Sequence, residues 1–184
     1  MSVNIRGFSL AEMLIALAVS SILLAGAARI LPFLQRQTLQ LIADVQLQEA
    51  LQQLIMVLEK AVRRAGYCNG ECQGEPLQIG GQQGSCLLVK WDENSNGKWE
   101  GRGRENSEFY GYRRRERSLE MQRGVDSCEG SGWEHLSDPS TLAISGLTFA
   151  RSGAQIKIRL EGYAVAFPQR KRVVEAWVSG MNLP

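Results

Sequence analysis

The hydrophobic and polar positions of the chain follow three successive patterns, and the first is a long apolar run near the N-terminus. Residues 8–28 are mostly apolar, with Glu12 as the one charged residue among them. This run of about 21 residues is long enough, at about 1.5 Å per residue, to cross a hydrocarbon layer of about 30 Å as a helix. The pattern therefore predicts a membrane-spanning helix at the start of the chain.

The second pattern, in residues 35–65, is the three- and four-residue spacing of an amphipathic helix. Its apolar face is formed by Leu47, Leu51, Leu54, Leu58, Ala61 and Ala65. Arg63 and Arg64 suit the negative end of the helix dipole, and Gly66 is a suitable terminator. We expect this helix to continue the apolar one, with a bend near Pro32. Its leucine face should pack on the chain's own head domain, with a coiled-coil partner as the alternative.

The third pattern, after Gly66, is the alternation of apolar and polar residues that is typical of β-strands with one buried face. It occurs in residues 87–91, 109–115, 119–123, 142–150, 155–161 and 173–178. The second and third of these segments predict a hairpin with its turn at residues 116–118, and the charged residues 170–172 after Pro168 indicate a loop. A long helix followed by antiparallel strands predicts an α+β head.

Four cysteines lie in the head, at Cys68, Cys72, Cys86 and Cys128. An even number in a segment that would be exported predicts two disulfides and an oxidising compartment, and all three pairings remain open. The alternative is a zinc site with four thiolate ligands. Such a site usually has two closely spaced cysteine pairs, whereas Cys86 and Cys128 stand alone, so we favour disulfides.

A basic patch in the head raises the question of nucleic-acid binding. Its residues are Arg113, Arg114, Arg115 and Arg117, with Tyr110 and Tyr112 just before them. Arginines can hold phosphates while tyrosines stack on bases. However, strand alternation sends the arginines to both faces, nearby glutamates neutralise them, and the whole chain has a formal net charge of only +2. We therefore favour a solvated strand surface and expect no nucleic-acid partner.

A possible calcium loop follows the first predicted strand. Its motif residues are Asp92, Asn94, Asn96 and Gly97. In a calcium loop of the EF-hand type, alternate residues supply oxygen ligands and the glycine makes the turn. The twelfth position should be a bidentate glutamate but is Gly103, and Glu100 and Glu105 lie at other positions. This favours a polar hairpin turn, with calcium as the alternative and no other cofactor expected.

The sequence does not predict an enzyme. It has one histidine, His135, in a glycine-rich region without a recognisable serine or cysteine nucleophile pattern. It also lacks a phosphate-binding glycine loop.

The acidic residue near the start of the apolar run separates this chain from an ordinary secretory signal, whose apolar core lacks acids. An unpaired carboxylate in lipid costs at least about 2.5 kcal/mol, so Glu12 needs a partner. Arg6, Gly7 and Phe8 precede it, and Glu12 is the fifth residue counted from Phe8. This arrangement resembles the cleavage motif of the type IV prepilin family.

The resemblance implies a processing pathway and a role for Glu12. Prepilin peptidase would cut between Gly7 and Phe8 on the cytoplasmic side and methylate the new amine of Phe8. Glycine suits this position because it has no side chain to obstruct the protease cleft. Glu12 would pair with the N-terminal ammonium of a neighbouring subunit, which removes the cost of both charges in lipid and sets the axial register.

The order of three segments in the head, residues 86–97, 109–113 and 119–123, resembles that of minor pilins of the W type and of the related minor pseudopilin J of type II secretion. The resemblance implies a pilin-like fold and a subunit that joins other minor pilins at the filament tip and starts polymerisation of the major pilin. Its partners would also include the inner-membrane assembly platform. The alternatives are a secretion pseudopilus subunit, and a tip adhesin or DNA-binding module.

The same resemblance implies four parts and a location. Residues 1–7 would be a leader, 8–34 a transmembrane and assembly helix, 35–66 its amphipathic continuation, and 67–184 a disulfide-stabilised, β-rich periplasmic head. The precursor would cross the inner membrane of a Gram-negative bacterium once, with a cytoplasmic N-terminus.

Overall fold

The computed structural model describes Gly7 and residues 9–183, so the predictions that concern Arg6 and Phe8 fall outside the described residues. One helix, α1, begins at Leu10 and ends at Arg64, and it continues without interruption through Pro32. The chain divides after Ile42 into two compact units. In the first unit, every described residue up to Leu39 is exposed to solvent.

The part of α1 that belongs to the second unit carries a buried apolar face, as its spacing predicted. All six residues of the predicted face are at most 8% exposed, and Ile55 and Val62 are buried beside them. These side chains belong to one hydrophobic core together with residues from the strands. The amphipathic half of the helix therefore packs on its own head domain.

The strands form two antiparallel sheets. The first sheet has five strands in chain order: β1 (Leu77–Gly80), β2 (Cys86–Lys90), β3 (Phe109–Arg115), β4 (Ser118–Arg123) and β5 (Glu134–His135). The second sheet has three: β6 (Leu142–Ser152), β7 (Gln155–Ala164) and β8 (Lys171–Ser179). A short 3-10 helix, Gln82–Gly84, connects β1 and β2. The predicted α+β class, with a long helix packed on antiparallel sheets, is confirmed.

Two local predictions differ from the structure. The β3–β4 hairpin turns over two residues, because Ser118 already pairs with Arg115 and Glu116 takes the left-handed conformation, with φ of 52°. The prediction of a loop at residues 170–172 is wrong for the last two of these residues. Lys171 pairs with Tyr163 and begins β8, an outer strand whose charged side chains remain in solvent.

The core side of the first sheet carries aromatic residues. Trp91 stacks on Tyr110 with ring centroids 3.8 Å apart and planes 3° from parallel. The guanidinium of Arg64, at the end of α1, lies 5.7 Å from the Trp91 ring centroid. The C-terminal end of α1 therefore meets β3 and the segment after β2 at one corner of the head. This corner lies beside the loop that begins at Asp92.

Candidate processing and assembly site

The start of α1 is closed by a reciprocal pair of hydrogen bonds between Ser9 and Glu12. The backbone N–H of Ser9 donates to Glu12 Oε2 at 2.8 Å, and the N–H of Glu12 donates to Ser9 Oγ at 3.2 Å. This is a capping box, with Ser9 as the N-cap and Glu12 as the third helical residue. It satisfies two backbone donors that the first turn of a helix leaves without partners.

The capping box adds a residue that the prepilin resemblance did not supply. Unpaired N–H groups are especially costly in or near a membrane, where water is scarce. Ser9 and Glu12 reduce that cost and also hold the carboxylate on the N-terminal side of the helix, toward the predicted cleavage point. The spacing Ser-x-x-Glu before an apolar run was the signal that would have revealed Ser9.

The predicted cleavage point lies directly before this box. Gly7 is exposed, and a Cβ built on it would meet no other atom within 4 Å. Phe8, the predicted methylation site, is outside the described residues. An alanine at position 7 would therefore leave the described structure unchanged, which makes this position suitable for testing recognition by a peptidase.

The first part of α1 exposes an unusual amount of apolar surface. Leu10 is 81% exposed, Ile22 72% and Leu24 70%. Its most apolar stretch has a mean hydropathy of 2.2, and none of that stretch is buried within the chain. Soluble proteins rarely leave a continuous apolar surface of this size in water. The length and composition of the helix indicate membrane anchoring.

Both predicted disulfides are present, and the structure selects one of the three pairings. Cys68 is bonded to Cys72, and Cys86 to Cys128. The Cys68 and Cys72 sulfurs lie close to the Asp92 carboxylate. Because these sulfurs are bonded to each other, they are not thiolate ligands, and the four-thiolate zinc alternative does not apply. The second disulfide connects β2 to the segment that follows β4.

The prediction of a solvated basic patch is wrong for Arg113. Its Nε donates to Glu120 Oε2 at 2.8 Å, and the two side chains are 8% and 9% exposed. The same guanidinium donates to the Cys128 carbonyl at 2.7 Å and lies 4.1 Å from the Trp133 ring centroid. Arg113 is buried because the Cys86–Cys128 disulfide draws the segment after β4 over the outer face of the sheet.

The remaining residues of the patch do not form a binding surface for bases. Arg115 and Arg117 are exposed, as predicted. Tyr112 is 4% exposed, and burial raises the pKa of its hydroxyl to about 12. Tyr110 is 5% exposed and stacks on Trp91. Because both rings are used in the core, the aromatic half of the nucleic-acid hypothesis has no support in the structure.

The Asp92 loop is built around a buried carboxylate. Asp92 is 1% exposed and accepts backbone N–H groups from Asn69, Asn96 and Gly97 at 2.8–3.0 Å. Burial raises the pKa of this carboxyl, but the backbone donors outweigh burial, so its pKa lies below the ordinary value. Asp92 thus organises the predicted turn and joins it to the disulfide-bonded segment after α1.

His135 does contact a serine, which the sequence did not indicate. Its Nδ1 lies 2.7 Å from Ser118 Oγ and 3.9 Å from Glu120 Oε1. Both groups approach the same ring nitrogen, whereas a catalytic triad places the nucleophile and the acid on opposite nitrogens. Ser118 is also 3% exposed and contacts Ser137. The contact is a structural link between β4 and β5.

Comparison with known proteins agrees with both halves of the structure. The family model for the prokaryotic N-terminal methylation motif matches residues 3–28. The family model described as prepilin peptidase-dependent protein B matches residues 40–180. Prepilin peptidase-dependent protein B of Escherichia coli (strain K12) is 41% identical over 188 residues, with 100% of each chain covered. No solved structure gives a significant match.

A methylation motif, an apolar N-terminal helix and a disulfide-bonded α+β head define a type IV pilin-like protein of the minor pilin or pseudopilin kind. More specifically, the chain belongs to the family of prepilin peptidase-dependent protein B. The prepilin family predicted from Gly7, Phe8 and Glu12 is thereby confirmed.

Proposed function

We propose that the chain is a minor pilin precursor that prepilin peptidase cleaves between Gly7 and Phe8 and methylates on the Phe8 amine. The observation that carries this proposal is the arrangement of an exposed Gly7, a carboxylate at Glu12 and an exposed apolar helix behind it. The name of the Escherichia coli relative describes that protein as prepilin peptidase-dependent, which supports the same processing step for this chain.

Glu12 serves two purposes in this proposal. Within one chain it caps the helix, since its Oε2 accepts the Ser9 N–H. Between chains, its negative charge attracts the methylated ammonium of Phe8 in a neighbouring subunit. An ion pair removes most of the cost of holding each charge in lipid alone, so the pair favours one axial position between neighbours.

Glycine and glutamate variants separate the two steps. Gly7→Ala should leave the precursor uncut, because the added Cβ meets nothing in the chain and so acts at the peptidase cleft. Gly26→Ala is the matched control, since its Cβ also meets nothing within 4 Å. Normal cleavage of Gly7→Ala in cells that contain the peptidase would contradict the processing step.

Glu12→Gln tests assembly without disturbing the helix start. Glutamine at the third helical position can still complete a capping box, but it carries no charge. We expect this variant to be cleaved normally and to enter filaments poorly, whereas Glu12→Ala should lose both the cap and the charge. Equal incorporation of Glu12→Gln and the parent chain into filaments would contradict the charge-pairing role.

The head would lie in the periplasm and join other minor pilins in a tip complex that starts growth of the major pilin. Deleting the protein should then lower the number of surface filaments without changing the length of each filament. Blocked secretion with normal pilus number would favour the pseudopilin alternative instead. Charge reversal at the exposed Arg115 and Arg117 tests the adhesin or DNA-binding alternative without unfolding the head, which a change at buried Arg113 would do.

A further inference from the structure

Glu108 has a buried carboxylate oxygen that the fold leaves without a donor. The side chain is 1% exposed and lies beneath the Asp92 loop. Its Oε1 accepts the backbone N–H groups of Glu93 at 2.6 Å and Asn94 at 3.1 Å. Its Oε2 is buried and has no hydrogen-bond partner within residues 7 and 9–183. A buried carboxylate oxygen without a partner is costly, so a missing partner is indicated here.

The group that faces Glu108 is a second carboxylate, that of Glu100. Glu100 is 8% exposed, and Asn94 contacts both carboxylates, because its backbone N–H donates to Glu108 at 3.1 Å and its side-chain amide to Glu100 at 3.2 Å. In the part of the chain that the structure describes, neither carboxylate forms an ion pair with a lysine, arginine or histidine. Two carboxyl groups held together in this way need either a shared proton or a cation between them.

Two amide side chains complete the surroundings. Asn94 and Asn96 direct their side-chain amides at Glu100, with contacts of 3.2 Å to Oε2 and 2.7 Å to Oε1. Their side-chain oxygens accept the backbone N–H groups of Asn96 and Lys98, each at 3.0 Å, which fixes the amide nitrogens toward Glu100. Both residues are exposed, so the cluster is open to solvent on this side. The two carboxylates and the two amides thus form one polar cluster that borders solvent.

The cluster is held by parts of the structure that an ion would not need to rearrange. Asp92 fixes the loop through three backbone N–H groups and joins it to Asn69. The loop and the Cys68–Cys72 segment approach so closely that a Cβ on Gly70 would lie 2.8 Å from the Cα of Gly97. Asp92 therefore positions the ligands while its own carboxylate is occupied by backbone donors.

We propose that Glu100 and Glu108 bind one calcium ion, with water molecules as its remaining ligands. The ion's charge of +2 would neutralise the two carboxylates. Calcium accepts irregular sets of carboxylate, amide and water oxygens, whereas magnesium demands near-octahedral geometry and keeps most of its water. This ligand set differs from the EF-hand pattern, since Glu108 lies beyond the twelve-residue loop that begins at Asp92. The proposal does not depend on the proposed function.

A direct test is calorimetric titration of CaCl₂ into the full-length chain in detergent micelles after removal of metals with a chelator. We expect one ion per chain, with a Kd on the order of 0.1–1 mM, the range of extracellular calcium modules. Glu108→Gln should weaken binding at least about tenfold. Glu105→Gln removes the same charge from an exposed position of the same segment and should bind calcium as the parent chain does.

Thermal unfolding provides a second readout that separates loss of binding from loss of folding. Without calcium, Glu108→Gln should unfold at or above the temperature of the parent, because its amide can donate to Glu100. At a calcium concentration 100 times Kd, the parent should gain about 5–10 °C and Glu108→Gln should gain nothing. If Glu108→Gln does not fold, Glu100→Gln must show the same loss of calcium response.

Three results would overturn the proposal. The first is the absence of saturable calcium binding by the parent chain, which would mean that a proton shared by Glu100 and Glu108 is the missing partner. The second is binding by Glu108→Gln within twofold of the parent. The third is an equal response to magnesium at the same concentration.

Discussion

Replacing Arg113 with methionine should destabilise the head strongly, although its position in a charged strand predicts a surface residue. Methionine keeps much of the side-chain volume but removes the charge that pairs with Glu120 at 2.8 Å. It also removes the donor to the Cys128 carbonyl at 2.7 Å. Glu120 would remain 9% exposed with its main cationic partner gone.

The magnitude follows from what is left behind. Removing one partner of a buried ion pair costs about 3–5 kcal/mol, because the other charge stays buried without compensation. Replacing both partners should cost much less, so Arg113→Met combined with Glu120→Leu should recover most of the lost stability. Arg115→Met is the surface control and should change the free energy of unfolding by less than about 0.5 kcal/mol, because Arg115 is exposed.

The assay is denaturant unfolding of the full-length chain in detergent, followed by tryptophan fluorescence. Trp133 is a suitable reporter, since the Arg113 guanidinium lies 4.1 Å from its ring centroid. We expect Arg113→Met to lower the unfolding midpoint far more than Arg115→Met does. If the two variants differ by less than about 1 kcal/mol, the buried ion pair does not stabilise the head as argued.

Three further variants test other parts of the structure. Leu51→Ala should cost about 2–5 kcal/mol in the same unfolding assay, because Leu51 is 0% exposed, whereas Met56→Ala, at a 56% exposed position, should cost little. Ser9→Ala should speed amide hydrogen exchange at the start of α1 about fivefold, the effect of losing an N-cap hydrogen bond worth about 1 kcal/mol; unchanged exchange would refute the capping box. Glu175→Gln tests a pH effect. Hydrogen bonds from Arg159 and Lys157 hold the pKa of Glu175 below its ordinary value, so its contribution to stability is present above that value and is lost as the pH falls through the folded pKa. The parent should therefore lose more thermal stability than Glu175→Gln between about pH 5 and pH 3, and parallel curves would contradict this.

The predictions that succeeded were those that depend on local periodicity. The stripe that includes Leu47 and Leu58 lies in the core, and the predicted strand at residues 109–115 is β3. The two short strands β1 and β5 were missed. A strand of two residues, such as Glu134–His135, has no alternation to detect and exists because β4 offers it backbone partners.

The surroundings of Arg113 and Glu108 could not be predicted because they depend on contacts between distant segments. Arg113 becomes buried only when the Cys86–Cys128 disulfide brings the chain after β4 across the sheet. Glu108 reaches the Asp92 loop because β3 begins beneath that loop. Its contacts join residues 14 and 15 positions apart in the sequence, which is farther than a loop motif extends. Ser9 was different, since its Ser-x-x-Glu spacing was visible in the sequence.

The measurement that tests the central claim most directly is the mass of the N-terminal peptide of the chain, purified from cells that contain prepilin peptidase. We predict a mature chain that begins at Phe8 and carries one methyl group on its amine, and an uncut, unmethylated chain from cells that lack the peptidase. A chain that keeps residues 1–7 in both strains, or one cut beyond the apolar helix, would contradict the assignment as a prepilin.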